Sequence, residues 1–197
     1  LYRSKILVFL DDKGIGRSQL TILQGLMKLR QICDSPAILN ATEEYPNHSV
    51  KLHELSRELQ ENTGDHKVLV FSQFLGMLAL IRDRLTKLHI PFEYFDGSTS
   101  SADREKAISN FQEDESCRVF LISLKAGGVG LNLTAADYVY IVDPWWNPAV
   151  EQQAIDRTHR IGQTKNIFAY RMICKNTVEE KILQLQDKIG RAWVRER

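Results

Sequence analysis

Tyr138-Val139-Tyr140-Ile141-Val142-Asp143-Pro144-Trp145-Trp146-Asn147-Pro148 is an apolar run closed by an acid and a proline, followed by two tryptophans and a second proline. Such a run between turn signals reads as a strand buried on both faces. Asn147 ahead of Pro148 reads as the N-cap and first residue of a helix. Strand, polar loop and helix in succession form the βα unit of an open α/β sheet, whose ligands bind at the carboxyl ends of the strands. Asp143 has no neighbouring acid and fits the capping of backbone amides better than the holding of a magnesium ion.

Two tryptophans at a loop tip are costly to expose together. One is expected to fold onto the core. The other faces outward, where a flat amphipathic ring suits a nucleic-acid groove or a partner protein. The helix beyond carries Gln153-Ala154-Ile155-Asp156-Arg157-Thr158-His159-Arg160-Ile161-Gly162-Gln163, with Arg157 and Arg160 spaced to share one face. Two guanidinium forks aimed into one volume suit the charge that builds on a phosphoryl group in transfer, the arginine-finger role. Asp156 and Arg160 are equally spaced for a surface ion pair. His159 between the arginines reads as structural.

Upstream, the apolar strand Val119-Phe120-Leu121-Ile122 runs into Ser123-Leu124-Lys125-Ala126-Gly127-Gly128-Val129-Gly130. The glycines let backbone approach a ligand closely, and Ser123 and Lys125 add a hydroxyl and a cation, a set that fits phosphates; a plain tight turn uses the same residues. Neither G-x-x-x-x-G-K-[ST] nor an Asp-Glu pair closing an apolar strand occurs in the chain. Magnesium and the β- and γ-phosphates of a nucleotide are therefore expected to be held elsewhere. Lys5-Ile6-Leu7-Val8-Phe9-Leu10 followed by Gly14-Ile15-Gly16-Arg17-Ser18 imitates a phosphate loop but has arginine where lysine is needed. It reads instead as a helix, a turn and an amphipathic helix over 20–33, where Leu23, Leu26, Met27 and Arg30 follow a helical period.

Strand signals recur near 67–72, 92–96, 118–123, 138–143 and 166–173, with helical patterns between most of them, which predicts a parallel sheet covered on both faces. Residues 1–66 read as a helical lead-in with a polar break at 40–47 and a linker at 61–66. Residues 67–175 read as the α/β lobe, and 176–197 as a C-terminal helix that Thr177 and Glu180 start with a capping box. At 197 residues and 43% apolar content the chain supports one domain with a real core. The net charge of +1 does not advertise a nucleic-acid binder, yet a lobe touching DNA through a few hydroxyls, amides and cations needs no excess charge. No apolar run approaches twenty residues and no signal-peptide pattern is present, so no membrane partner and an intracellular setting are expected. Leu1 in place of methionine suggests a piece of a longer protein. Cys33, Cys117 and Cys174 are scattered, giving neither a disulfide framework nor a zinc site, and the histidines show no metal-ligand spacing, so no metal site is expected.

With Val70-Phe71-Ser72-Gln73-Phe74 and Phe95-Asp96-Gly97-Ser98-Thr99, these blocks resemble in order and spacing the second RecA-like lobe of the Swi/Snf family of DNA-dependent ATPases, within helicase superfamily two. The likeness runs over about 29–189 and is most specific at Asp156-Arg157-Thr158-His159-Arg160-Ile161-Gly162-Gln163. Leu29-Arg30-Gln31-Ile32-Cys33 resembles the family's lead-in helix, although Asp34-Ser35-Pro36 stands where the family has Asn/Cys-His-Pro. The resemblance implies an α/β, RecA-like (P-loop NTPase-type) parallel sheet with helical N- and C-terminal extensions. It makes Arg157 and Arg160 the arginine fingers, and puts Gln153, Gly128, Gly130 and Asn132 at the nucleotide. It turns Ser72, Gln73, Gly97, Ser98, Ser123, Lys125 and Trp146 towards DNA, while Trp145 departs from a position that is often small or polar.

The partners it implies are double-stranded DNA, the N-terminal RecA-like lobe of the same parent protein and a DNA-bound protein that is remodelled. ATP and Mg2+ would be held mainly by that first lobe, without which this one is expected to be inactive. The implied setting is the nucleus, or the cytoplasm if the source is bacterial. Two rivals remain: an RNA helicase lobe, against which Gln163 and the Trp-Trp-Asn-Pro loop count, and a non-catalytic binding or scaffolding module, against which the paired arginines count.

Overall fold

Val68-Leu69-Val70-Phe71 and Val119-Phe120-Leu121-Ile122 are apolar at every position, and both are buried throughout, which requires a layer on each side. A computed structural model describes residues 15–39, 45–126, 133–149, 151–152 and 166–195. Its strands are β1 (Val68–Ser72), β2 (Phe92–Phe95), β3 (Val119–Ser123), β4 (Tyr138–Ile141) and β5 (Phe168–Arg171). They form one parallel sheet in the order β2-β3-β1-β4-β5, as the alternating pattern predicts. The helices are α1 (Ile15–Asp34), α2 (Val50–Arg57) with a π-helical turn over Glu58–Asn62, α3 (Leu75–Lys87), α4 (Ser101–Glu113) and α5 (Val178–Arg195).

Alternate residues of the central strands enter two separate cores. Val68, Val70, Val119, Leu121 and Tyr140 pack with Leu52, Leu55 and Leu59 of the α2 segment and Met77, Leu78, Ile81 and Leu85 of α3. Leu69, Phe71, Phe120, Ile122, Val139 and Ile141 pack with Ala107 and Phe111 of α4. The expected linker at 61–66 begins inside the π-helical turn, and Thr63 is buried with its hydroxyl donating to Leu59 O. Ser49 and Ser100 cap α2 and α4 by accepting from Leu52 N (3.0 Å) and Asp103 N (3.2 Å). At α5 Thr177 accepts from Glu179 N, but Glu180 reaches Asn176 N, one residue earlier than in a capping box.

Helix α1 is longer than the expected 20–33, and its apolar stripe is only partly covered. Leu23 and Met27 are 57% and 40% exposed, whereas Arg30 and Asp34, further along the same face, are fully buried. Gly25 is buried and Ile22 and Leu26 are partly covered, while the hydrogen bonds from α1 side chains to the lobe come from the polar end of the stripe, Arg30 and Asp34. Those contacts centre on Lys51, whose Nζ donates to Asp34 (2.8 Å), Glu179 (2.6 Å) and Val142 O (2.7 Å) and ties α1, α2, the end of β4 and α5 together.

Candidate nucleotide and DNA site at the strand ends

β1 lies between β3 and β4, and the chain that leaves β1 for β2 and β3 returns on its other side as β4. Ligands of open α/β sheets gather at the carboxyl ends of strands beside such a switch. There, Asp143 is fully buried; it accepts from the Ser72 hydroxyl and from Gln73 N (3.0 Å), the amide-capping role expected of it. Arg30 reaches the same place from α1. Its Nη1 donates to Gln73 Oε1 (3.2 Å), its Nη2 to Pro144 O, and its guanidinium carbon lies 5.3 Å from the Trp146 ring centroid.

Of the two tryptophans, Trp145 packs against the α4-side core and Trp146 is 41% exposed, one in and one out as predicted. Trp145 N donates to Glu151 (2.6 Å), whose carboxylate is buried and pairs with Arg171 at 2.6 Å. Gln186 of α5 donates to Trp145 O (2.6 Å) and Trp146 O (3.1 Å). Asn147 accepts from Ala149 N (3.0 Å) and residues 148–149 and 151–152 are helical, so the helix starts where Asn147-Pro148 predicts.

The structure brings Ser72, Gln73, Ser123, Lys125 and Trp146 to this end of the sheet, with Gly97 and Ser98 exposed in the turn after β2. Ser72, Gln73 and Ser123 are buried. The Ser72 hydroxyl is engaged by Asp143, whereas the Gln73 Nε2 amide is buried without a partner among the described residues. Gln153, Arg157, Arg160, Gly128, Gly130 and Asn132 lie outside the described residues. Asp143 is committed to Ser72 and Gln73, and no group of three or more metal-ligating side chains occurs among the described residues, so nothing described fits a magnesium ion.

Arg30, Lys51, Glu179 and Gln186 escape a reading of the sequence for function. Arg30 alone gives a signal, a cation on the apolar stripe of a helix. Cys33 and Cys174, far apart in sequence, also meet here: the Cys174 thiol donates to Cys33 O at 3.3 Å. A hydrogen bond from Cys174 draws the Cys33 thiol down to about 7.

The buried cluster holds three carboxylates, Asp34, Asp143 and Glu179, against two cations, Arg30 and Lys51. Burial, together with the Asp143 charge, pushes Asp34 up to about 8, and burial pushes Asp143 up to about 6 against the Ser72 and Gln73 hydrogen bonds. The folded chain therefore keeps a proton that the unfolded chain releases. The stability due to that proton is complete below the ordinary aspartate range and is lost as pH rises through about 6 to 8. Urea unfolding is expected to show a lower midpoint at about pH 8 than at about pH 5.5, with a slope of up to about 1.4 kcal/mol per pH unit. A flat profile would show that the cluster holds no extra proton.

Residues 50–162 match the family described as the helicase conserved C-terminal domain. The chain is 50% identical over 142 residues to DNA repair protein RAD5 of Cryptococcus neoformans, covering 70% of this chain and 12% of that protein. It is 41% identical over 170 residues to an ATP-dependent helicase of Mycoplasma pneumoniae, covering 86% of this chain and 16% of that protein. It superposes on the SWI2/SNF2 ATPase C-terminal domain of Sulfolobus solfataricus with a TM-score of 0.73 at 32% identity, covering 93% of this chain and 75% of that one. The chain belongs to the helicase conserved C-terminal domain family and, within it, to the RecA-like C-terminal lobes of the Swi/Snf ATPases of helicase superfamily two. It spans about an eighth to a sixth of the length of these two relatives, at 12% and 16%.

Proposed function

We propose that this chain is the arginine-finger half of an ATP-dependent translocase on duplex DNA, of the type that remodels protein–DNA complexes. ATP and Mg2+ bind the first lobe of the parent protein, and Arg157 and Arg160 close on the γ-phosphate from this one. The divisions at 66 and 175 bound the part that closes. The reading rests on the strand ends: Trp146 and Lys125 are exposed in the loops that follow β4 and β3, the loops that lead in sequence to Arg157 and Arg160 and to the glycines of 127–130.

In this proposal Lys125, Gly97, Ser98 and Trp146 touch the DNA backbone directly, and Gln73, buried and held by Arg30, sets the loop after β1. Ser72 and Ser123, being buried, shape the loops that make those contacts. Gln153, Gly128, Gly130 and Asn132 line the nucleotide side. Closing the cleft on ATP while each lobe holds the backbone moves the protein along the duplex one cycle at a time.

The test is ATP turnover by this chain alone and after joining to the first lobe of its own parent, with and without duplex DNA. Silence alone and DNA-stimulated turnover on joining are expected. Silence in both would point to a binding or scaffolding module, and turnover by the chain alone would mean that it carries a phosphate site of its own.

A further inference from the structure

Arg30 is fully buried, yet the proposed reaction gives a part neither to it nor to Gln186. The Arg30 fork spans two loops: Nη1 holds Gln73 Oε1 at 3.2 Å, after β1, and Nη2 holds Pro144 O, after β4. The same guanidinium lies 5.7 Å from the Phe74 ring centroid and 5.3 Å from that of Trp146. A planar, delocalised cation donates in its plane and stacks on its faces at once, which an ammonium cannot do. From α5, the Gln186 amide holds the carbonyls of Trp145 and Trp146 at 2.6 and 3.1 Å. The tryptophan loop has no regular structure of its own over 142–147, so these side chains stand in for the missing ladder.

We infer that Arg30 and Gln186 are positioning residues that fix the pose of Trp146, pinning one side of its indole and its backbone so that its exposed side meets duplex DNA. This rests on the reading of Trp146 as a DNA contact. It makes α1 and α5, which lie outside the sheet, the two supports of one contact residue.

The chain contains three tryptophans, so Trp145→Phe with Trp193→Phe leaves Trp146 as the sole reporter. In that background, acrylamide quenching of Trp146 and the affinity for a fluorescent duplex are measured for Arg30→Met, Arg30→Lys and Gln186→Leu. Each is expected to raise quenching and to weaken duplex binding, by roughly tenfold for Arg30→Met, the scale of one lost aromatic contact. Gln186 is only half-buried, so Gln186→Leu keeps the test alive if Arg30→Met does not fold. Unchanged quenching and affinity in the folded variants would overturn the inference. So would a freed Trp146 with undiminished affinity, provided that Trp146→Ala weakens binding. If Trp146→Ala itself leaves affinity unchanged, the DNA reading falls and takes the inference with it, an outcome set apart because it arises without touching Arg30.

Discussion

Arg160→Ala in the two-lobed parent enzyme is expected to lower DNA-stimulated ATP turnover by about 10³- to 10⁵-fold, the range over which an arginine finger acts. The loss should fall on kcat, with KM for ATP and duplex affinity nearly unchanged, because the finger proposed above would meet charge that develops only in the transition state. Arg160→Lys should not rescue, since a point charge cannot replace a bidentate fork. Steady-state turnover at saturating DNA checks this. A rate close to that of the unaltered enzyme would remove Arg160 from the catalytic set and leave the helix with the surface ion pair that Asp156 and Arg160 are also spaced to make.

Lys51→Met should unfold the lobe more readily than most single substitutions in it. Lys51 is 3% exposed and bonds Asp34 and Glu179, both fully buried. Burial works against its charge, but the two carboxylates outweigh burial and raise its pKa. Removing it leaves Glu179 buried without its counter-ion and Asp34 without its donor, a change that typically costs about 3–5 kcal/mol. Urea unfolding at neutral pH reads the loss. Adding Asp34→Asn and Glu179→Gln to Lys51→Met should recover part of it, since the uncompensated charges and not the lost contact carry most of the cost. The triple variant should also lose most of the pH dependence, because only Asp143 then remains to hold the extra proton.

The fold was legible because its signals are local. Apolar runs such as 119–122, broken by glycine, proline and polar turns, mark strands whatever surrounds them, and all five expected strands are present, each within three residues of its predicted ends. Asn147-Pro148 and Thr177 mark helix starts for the same reason. The candidate site was legible only in part. The cost of exposing two tryptophans announces that one faces outward, and the resemblance, not that cost, singles out Trp146; nothing near Arg30 in sequence shows that its partners are Gln73, Pro144 and Trp146. Lys51 looks like any cation on an amphipathic helix; its burial depends on carboxylates in α1 and α5. The same blindness runs the other way for Ser72, whose hydroxyl would be free for a ligand but for Asp143 at the end of a strand far along the chain. Long-range polar pairing leaves no periodic trace in a sequence, whereas hydrophobic layering does.

The strand order also sets a timetable for the chain as it is made. Of the described strands β1 is the first to be made and the middle one in space, with Val68 paired to Val119 on one side and to Tyr138 on the other. β2, the next to appear, never touches it. Val68-Leu69-Val70-Phe71 must therefore wait, unzipped on both edges, while a ribosome adds the whole of α3, β2 and α4, and the Glu179 that neutralises Lys51 arrives later still. Non-local parallel pairing of this kind is slow and leaves sticky edges bare in the meantime. Faster translation between residues 72 and 119, or a chaperone that covers the waiting strand, should then raise the soluble yield of this lobe without altering a single contact in its finished form.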